Sequence, residues 1–117
     1  MAELNENQAG VQIYAFRPAS LPATISAEEL RYFFDVAQTL GSNQITTELP
    51  RDASLTQRVG AYAARRKIRV GYHNHTQVNA NSWDTALAQS AYNGINFDVG
   101  HYAAAVSQSP IPFIEEH

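Results

Sequence analysis

The sequence contains no cysteine, no apolar run long enough to span a membrane, and no basic run longer than Arg65-Arg66-Lys67. The first absence excludes a disulfide scaffold and any thiolate metal site, so a metal here would have to be held by nitrogen and oxygen. The second excludes a membrane-spanning helix, which takes about 20 consecutive apolar residues. The third, together with eight Lys+Arg against eleven Asp+Glu and a formal net charge of -3, speaks against nucleic acid or an anionic membrane as partner and leaves a small metabolite. The opening stretch Met1 to Gln8 is polar and acidic, unlike a signal peptide, which makes the cytoplasm the expected compartment.

What the chain does have is an alternation of β-rich and amphipathic stretches. Residues 1 to 10 read as the tail of a polar helix closing at Gly10, and Val11 to Phe16 as a strand ending before Pro18. Ser26-Ala-Glu-Glu29 is a capping box, after which Leu30, Phe33, Phe34, Ala37 and Leu40 follow helical spacing to a stop at Gly41. That bulky stripe belongs against a sheet rather than a cofactor. Gln44 to Leu49 is the next strand, stopped by Pro50. Ser54-Leu-Thr-Gln57 repeats the box and opens a helix through Leu55, Val59, Tyr62 and Ala63, whose closing Arg65-Arg66-Lys67 complements the helix dipole. A strand from Ile68 to Tyr72 follows, then a helix capped by Ser82 with Trp83, Ala86, Leu87 and Ser90 inward. The strand Ile95 to Val99, a turn from Ser107 to Pro112 and a few helical residues over Phe113 to His117 complete the reading.

The strand starts near Val11, Gln44, Ile68 and Ile95 recur at the spacing of one βα unit each, which predicts an α/β fold with about four parallel strands and at least three helices. A closed (β/α)8 TIM barrel takes about 250 residues, so the single domain, 1-117, is either a small open sheet or part of a larger barrel. A partial barrel would leave two sheet edges open to self-association. It would also leave Phe16, Leu49, Phe33 and Phe34 less buried than a finished domain would.

Candidate chemistry sits where strands are expected to end. In a βαβ unit both C-terminal ends reach the same edge of the sheet, where α/β folds bind ligands, so His73, His75, Asp98 and His101 are expected to meet. His73 and His75 share a strand face while Asn74 between them points to the other, and neutral imidazoles suit zinc, manganese, iron or cobalt. Asp98, closing an apolar run, calls for a partner or a metal, and Gly100 lets the chain turn to bring His101 back over it. Glu48 ends its own strand in the matching position. Arg17 and Trp83 read as surface and packing residues. The letters of His73-Asn74-His75 also name a nuclease motif, but that motif is dispersed over a hairpin and helix, and neither the charge nor the βαβ context here fits it.

Gly71-Tyr-His-Asn-His-Thr-Gln77, Phe97-Asp-Val-Gly-His-Tyr102 and Ser109-Pro-Ile-Pro-Phe-Ile114 resemble the sugar phosphate isomerase/epimerase family of xylose-isomerase-like TIM barrels, from about Thr46 onward. The resemblance implies a single incomplete barrel domain covering strands three to six, because the family's later His-x-Lys-Asp-like strand does not follow. It implies a divalent metal, Mn2+ first, with Zn2+, Co2+ or Mg2+ as alternatives, and a sugar or keto-sugar substrate. The activity it implies is isomerisation or epimerisation by proton transfer next to a carbonyl, absent from this segment alone. By that resemblance Asp98 is the metal-binding aspartate, joined by His73 and His75. His73 departs from the pattern, standing where many members have a glutamate, and Glu48 supplies the acid from the preceding strand. His101 contacts substrate and, with Glu48, moves protons; Asn74 is a further substrate residue. The rival expectations are a metal-dependent hydrolase or endonuclease on the same barrel, and a non-catalytic carbohydrate-binding α/β remnant.

Overall fold

The computed structural model describes residues 8–18 and 20–117, so most of the polar helix expected over residues 1 to 10 lies outside the described residues. Four strands, β1 (Ala15–Phe16), β2 (Gln44–Glu48), β3 (Arg69–His73) and β4 (Asn93–Asn96), form one sheet in the order β1-β2-β3-β4, every neighbouring pair parallel. The helices are α1 (Ala27–Thr39), α2 (Ala53–Arg66), α3 (Asp84–Gln89), α4 (Val99–Val106) and α5 (Ile111–Glu116). Parallel crossovers are right-handed, and a strand order that never reverses therefore carries α1, α2 and α3 to the same face of the sheet. A doubly wound fold would split them between two faces.

Local chemistry fixes the helix ends. At α1 the capping box forms as expected: the Glu29 N–H donates to Ser26 Oγ at 3.1 Å and the Ser26 N–H donates to the Glu29 carboxylate at 2.9 Å. Two other caps differ from expectation. The cap of α2 is Asp52, which accepts from the Ser54 N–H at 2.8 Å, because an aspartate two residues earlier outcompetes the serine for the free donors. Ser82 instead closes the preceding turn, accepting from the Asn79 N–H at 2.9 Å, and α3 starts after Trp83 with no side-chain cap.

Register sorts the sheet residues into two faces, since paired residues on adjacent parallel strands point the same way. Ile45, Val70 and Asn93 form one row and Thr47, Tyr72 and Ile95 another on the helix-covered face. There Ile45, Val70 and Tyr72 join Leu30, Phe34, Leu55, Val59 and Trp83 in the buried core. Trp83 packs as expected, fully buried, with its indole N–H donating to the Tyr72 carbonyl at 3.0 Å. Asn93 is paired on this face, its amide donating to the carbonyls of Ala86 and Thr56. Gly60 is obligatory opposite it: a Cβ there would lie 2.8 Å from Asn93 Nδ2 and from Ser90 Cβ.

The other face carries the rows Gln44 and Arg69, then Thr46, Gly71 and Gly94, then Glu48, His73 and Asn96. It is polar throughout. Phe16, Leu49 and Phe33 are partly buried, but Phe34, expected to lie uncovered with Phe33, is only 1% exposed. The reason is α2, which brings the Tyr62 ring to 5.1 Å from it.

Three boundaries also moved. β1 is two residues rather than the six from Val11 to Phe16, for only Ala15 and Phe16 find partners on β2. β4 begins at Asn93 and ends at Asn96 rather than spanning Ile95 to Val99. Residues 99–106 form a helix that the sequence reading missed, capped by Asp98.

Candidate functional site

The C-terminal edge of the sheet collects the titratable groups. Glu48 ends β2, His73 ends β3 directly beside it in register, and His75 follows two residues later. His101 arrives in the first turn of α4. The rings of His73 and His75 are 5.0 Å apart, those of His75 and His101 5.0 Å, and those of His73 and His101 6.0 Å. One nitrogen from each of the three lies within 4.8 Å of the others. His73 and His101 are partly buried and His75 is exposed, so the cluster opens to solvent at the rim of the edge.

Fixed neighbours orient this cluster. His101 Nδ1 lies 3.1 Å from the Asn74 carbonyl, which can only accept, so Nδ1 carries the proton and Nε2 keeps its lone pair free. Asp98 Oδ1 accepts the His101 N–H at 2.8 Å as the cap of α4, and its Oδ2 sits 3.4 Å from His101 Nδ1. The backbone hydrogen bond from His101 above all holds the Asp98 carboxyl below the usual aspartate range. Arg17 donates to Glu48 Oε1. Glu48 Oε2 is buried and lies 2.7 Å from His75 Nε2.

Two residues singled out by the sequence also hold the backbone at this edge. Asn74, read as a substrate residue, is fully buried and clamps two segments together: the Asp98 N–H donates to its Oδ1 at 2.8 Å and its amide donates to the Asp98 carbonyl at 3.1 Å. Asp98, read as the leading metal ligand, caps α4 and has its Oδ2 3.4 Å from Nδ1 of His101 in the nitrogen cluster. His73, His75 and His101 form the nitrogen cluster, and Glu48 lies beside it. Two residues went unrecognised. Arg17 reaches the site because it follows β1 at the same edge, a signal its position already carried. Asn96 pairs with His73 in register, and a Cβ on Gly71 would lie 3.3 Å from Asn96 Cβ; only the true start of β4 reveals it.

No family model matches the chain, and no curated protein matches it. Among solved structures it is similar to a xylose isomerase domain protein from Planctomyces limnophilus, with a TM-score of 0.75 and 16% identity over 97% of this chain and 53% of that one. It is also similar to a xylose isomerase-like TIM barrel/4-hydroxyphenylpyruvate dioxygenase fusion protein, with a TM-score of 0.54 and 19% identity over 80% of this chain and 19% of that one. The chain thus spans about half the length of the first of these. The fold is therefore part of a xylose isomerase-like TIM barrel, its four parallel strands and flanking helices matching a portion of the complete one.

Proposed function

We propose that this chain carries the metal-binding and proton-handling edge of a divalent-metal-dependent sugar isomerase or epimerase acting next to a carbonyl. The observation that supports it is the convergence of His73, His75 and His101 from two separate segments, beside a buried Glu48 oxygen 2.7 Å from His75 Nε2. The donor set fits a metal by its chemistry: three imidazoles, one with its tautomer fixed by a backbone carbonyl, make the three-ligand pattern that leaves a coordination position open. Nitrogen donors favour zinc or cobalt over manganese and magnesium, which suit oxygen better.

His73, His75 and His101 would hold the ion, whose chemistry when bound is to polarise a carbonyl and its adjacent hydroxyl. Glu48 is the proton carrier in this reading. Arg17 fixes one of its oxygens and leaves Oε2 facing the histidines, within reach of a carbon-bound proton of a sugar held there. Asp98 and the Asn74 carbonyl position His101. Because the chain spans about half of the matched barrel, the reading assigns metal binding to this chain and turnover of a keto-sugar to a complete barrel.

Calorimetric titration with Mn2+ and Zn2+ tests the assignment. His73→Ala and His101→Ala should each weaken binding by more than about a hundredfold. Asp98→Asn should cost about tenfold as a positioning change, and His117→Ala nothing. Unchanged affinity in a His73→Ala/His101→Ala double variant would remove the metal reading.

A further inference from the structure

The net charge of -3 conceals a polarised molecule. In a βα unit, strand ends and helix starts lie on one side of the sheet, and helix ends and strand starts on the other. Glu28, Glu29, Glu48, Asp52, Asp84 and Asp98 all occupy helix first turns, helix caps or a strand end, against Arg17 and Arg51 on that side. Arg65, Arg66, Lys67 and Arg69 all occupy the end of α2 and the start of β3. The helix dipole accounts for Arg65 and Arg66 in the last turn. Arg66 is also committed to Asp35, and Arg65 lies over the Tyr62 ring at 4.9 Å. Lys67 and Arg69 have no such occupation: among the described residues neither makes an ion pair.

Both line a cavity of about 370 Å³ whose remaining walls are Tyr14, Asn43, Gln44 and Tyr92. All four strand starts contribute to it, and no carboxylate does. Tyr14 is 70% exposed there although it is among the largest apolar surfaces the chain presents. Two unpaired cations, two aromatic rings and two amides around one concavity are the components that hold a phosphate and stack and read a base. From this we propose a second binding site, for a mononucleotide, at the N-terminal edge of the sheet, with Lys67 and Arg69 on the phosphate and Tyr14 and Tyr92 against the base. It is separate from the histidine cluster at the opposite edge and does not depend on the reading given to that cluster.

Two-dimensional amide NMR with adenosine 5′-monophosphate, inorganic phosphate and adenosine as separate titrants tests it. The monophosphate should shift the amides of Gln44, Arg69 and Tyr92 and leave those of His75 and His101 in place. Phosphate should move the same amides more weakly, adenosine should bind at least tenfold less tightly, and the affinity should fall as salt rises. The variant Lys67→Gly/Arg69→Gln should lose at least tenfold. Lys67 has a left-handed φ of 54°, which glycine adopts freely, so the turn survives that change. Should the double variant fail to fold, Lys67→Gly alone is expected to lose at least threefold. No amide shifts with the monophosphate, shifts confined to the histidine edge, equal binding of adenosine, or unchanged affinity in the variants would each overturn the proposal.

Discussion

Asn74→Ala should destabilise the chain more than any other single polar substitution at the C-terminal edge. The side chain is fully buried, and its amide spans from the end of β3 to the link before α4, satisfying both the N–H and the carbonyl of Asp98. Truncation leaves both backbone groups without partners, at about 1–3 kcal/mol for each unsatisfied group. Water reaching the half-open rim recovers part of that, so a net loss of about 2–4 kcal/mol is expected. A chain of this size is stable by only about 6–15 kcal/mol, so the loss is large enough to read from urea melts. Asn74→Asp is the informative control. It keeps the shape and the acceptor for the Asp98 N–H, but it turns the donor toward the Asp98 carbonyl into a second acceptor. Its loss should therefore match or exceed that of alanine at neutral pH, and shrink in acid as the new carboxyl takes up a proton. An Asn74→Ala variant within about 0.5 kcal/mol of the parent would refute the clamp.

Gly60→Ala should cost about 1–3 kcal/mol by overpacking, since the added methyl would meet Asn93 and Ser90; a thermal midpoint equal to the parent's would mean α2 shifts freely on β4. For pH, the Arg66 hydrogen bond first, then Arg31, hold the Asp35 carboxyl below its ordinary value. A depressed carboxyl contributes stability above its unfolded pKa of about 3.9 and loses it as pH falls through the folded value. Asp35→Asn should therefore lower the urea midpoint at pH 7, with the difference closing below about pH 4. A difference constant from pH 7 to pH 3 would contradict this.

The βα order, the parallel sheet and the identity of the edge that collects His73, His75 and His101 were legible in the sequence because they depend on periodicity and on the spacing of strand starts. What depended on competition between local caps was not. Ser54 and Ser82 carry the cap residue type, but Asp52 and the turn around Asn79 decide where those helices begin. The same competition hid α4: Asp98 is the cap that starts that helix. Asn74 was misplaced for a related reason. Alternation puts it opposite His73 and His75, on the buried side, and a polar residue there is more often tied to backbone than offered to a ligand.

The polar face of the sheet also explains why the site lies at one edge and what the rest of the face requires. Between the histidine row and the Gln44 and Arg69 row stands Thr46 with Gly71 and Gly94, a middle row with almost no side-chain volume. Such a row cannot form a core by itself. The interior of a TIM-type (β/α)8 barrel is filled in layers by side chains from alternate strands, so small residues on one set of strands leave room for large ones on the others. This chain spans 53% of the solved chain it matches, at 97% coverage of itself, and its glycine row would leave room for bulky side chains from the other strands of a complete barrel. Those strands would close the floor beneath His73 and raise a second wall opposite His75 and His101. The three histidines are held by contacts within this chain. The rest of the enclosure around them would come from the other strands of a complete barrel.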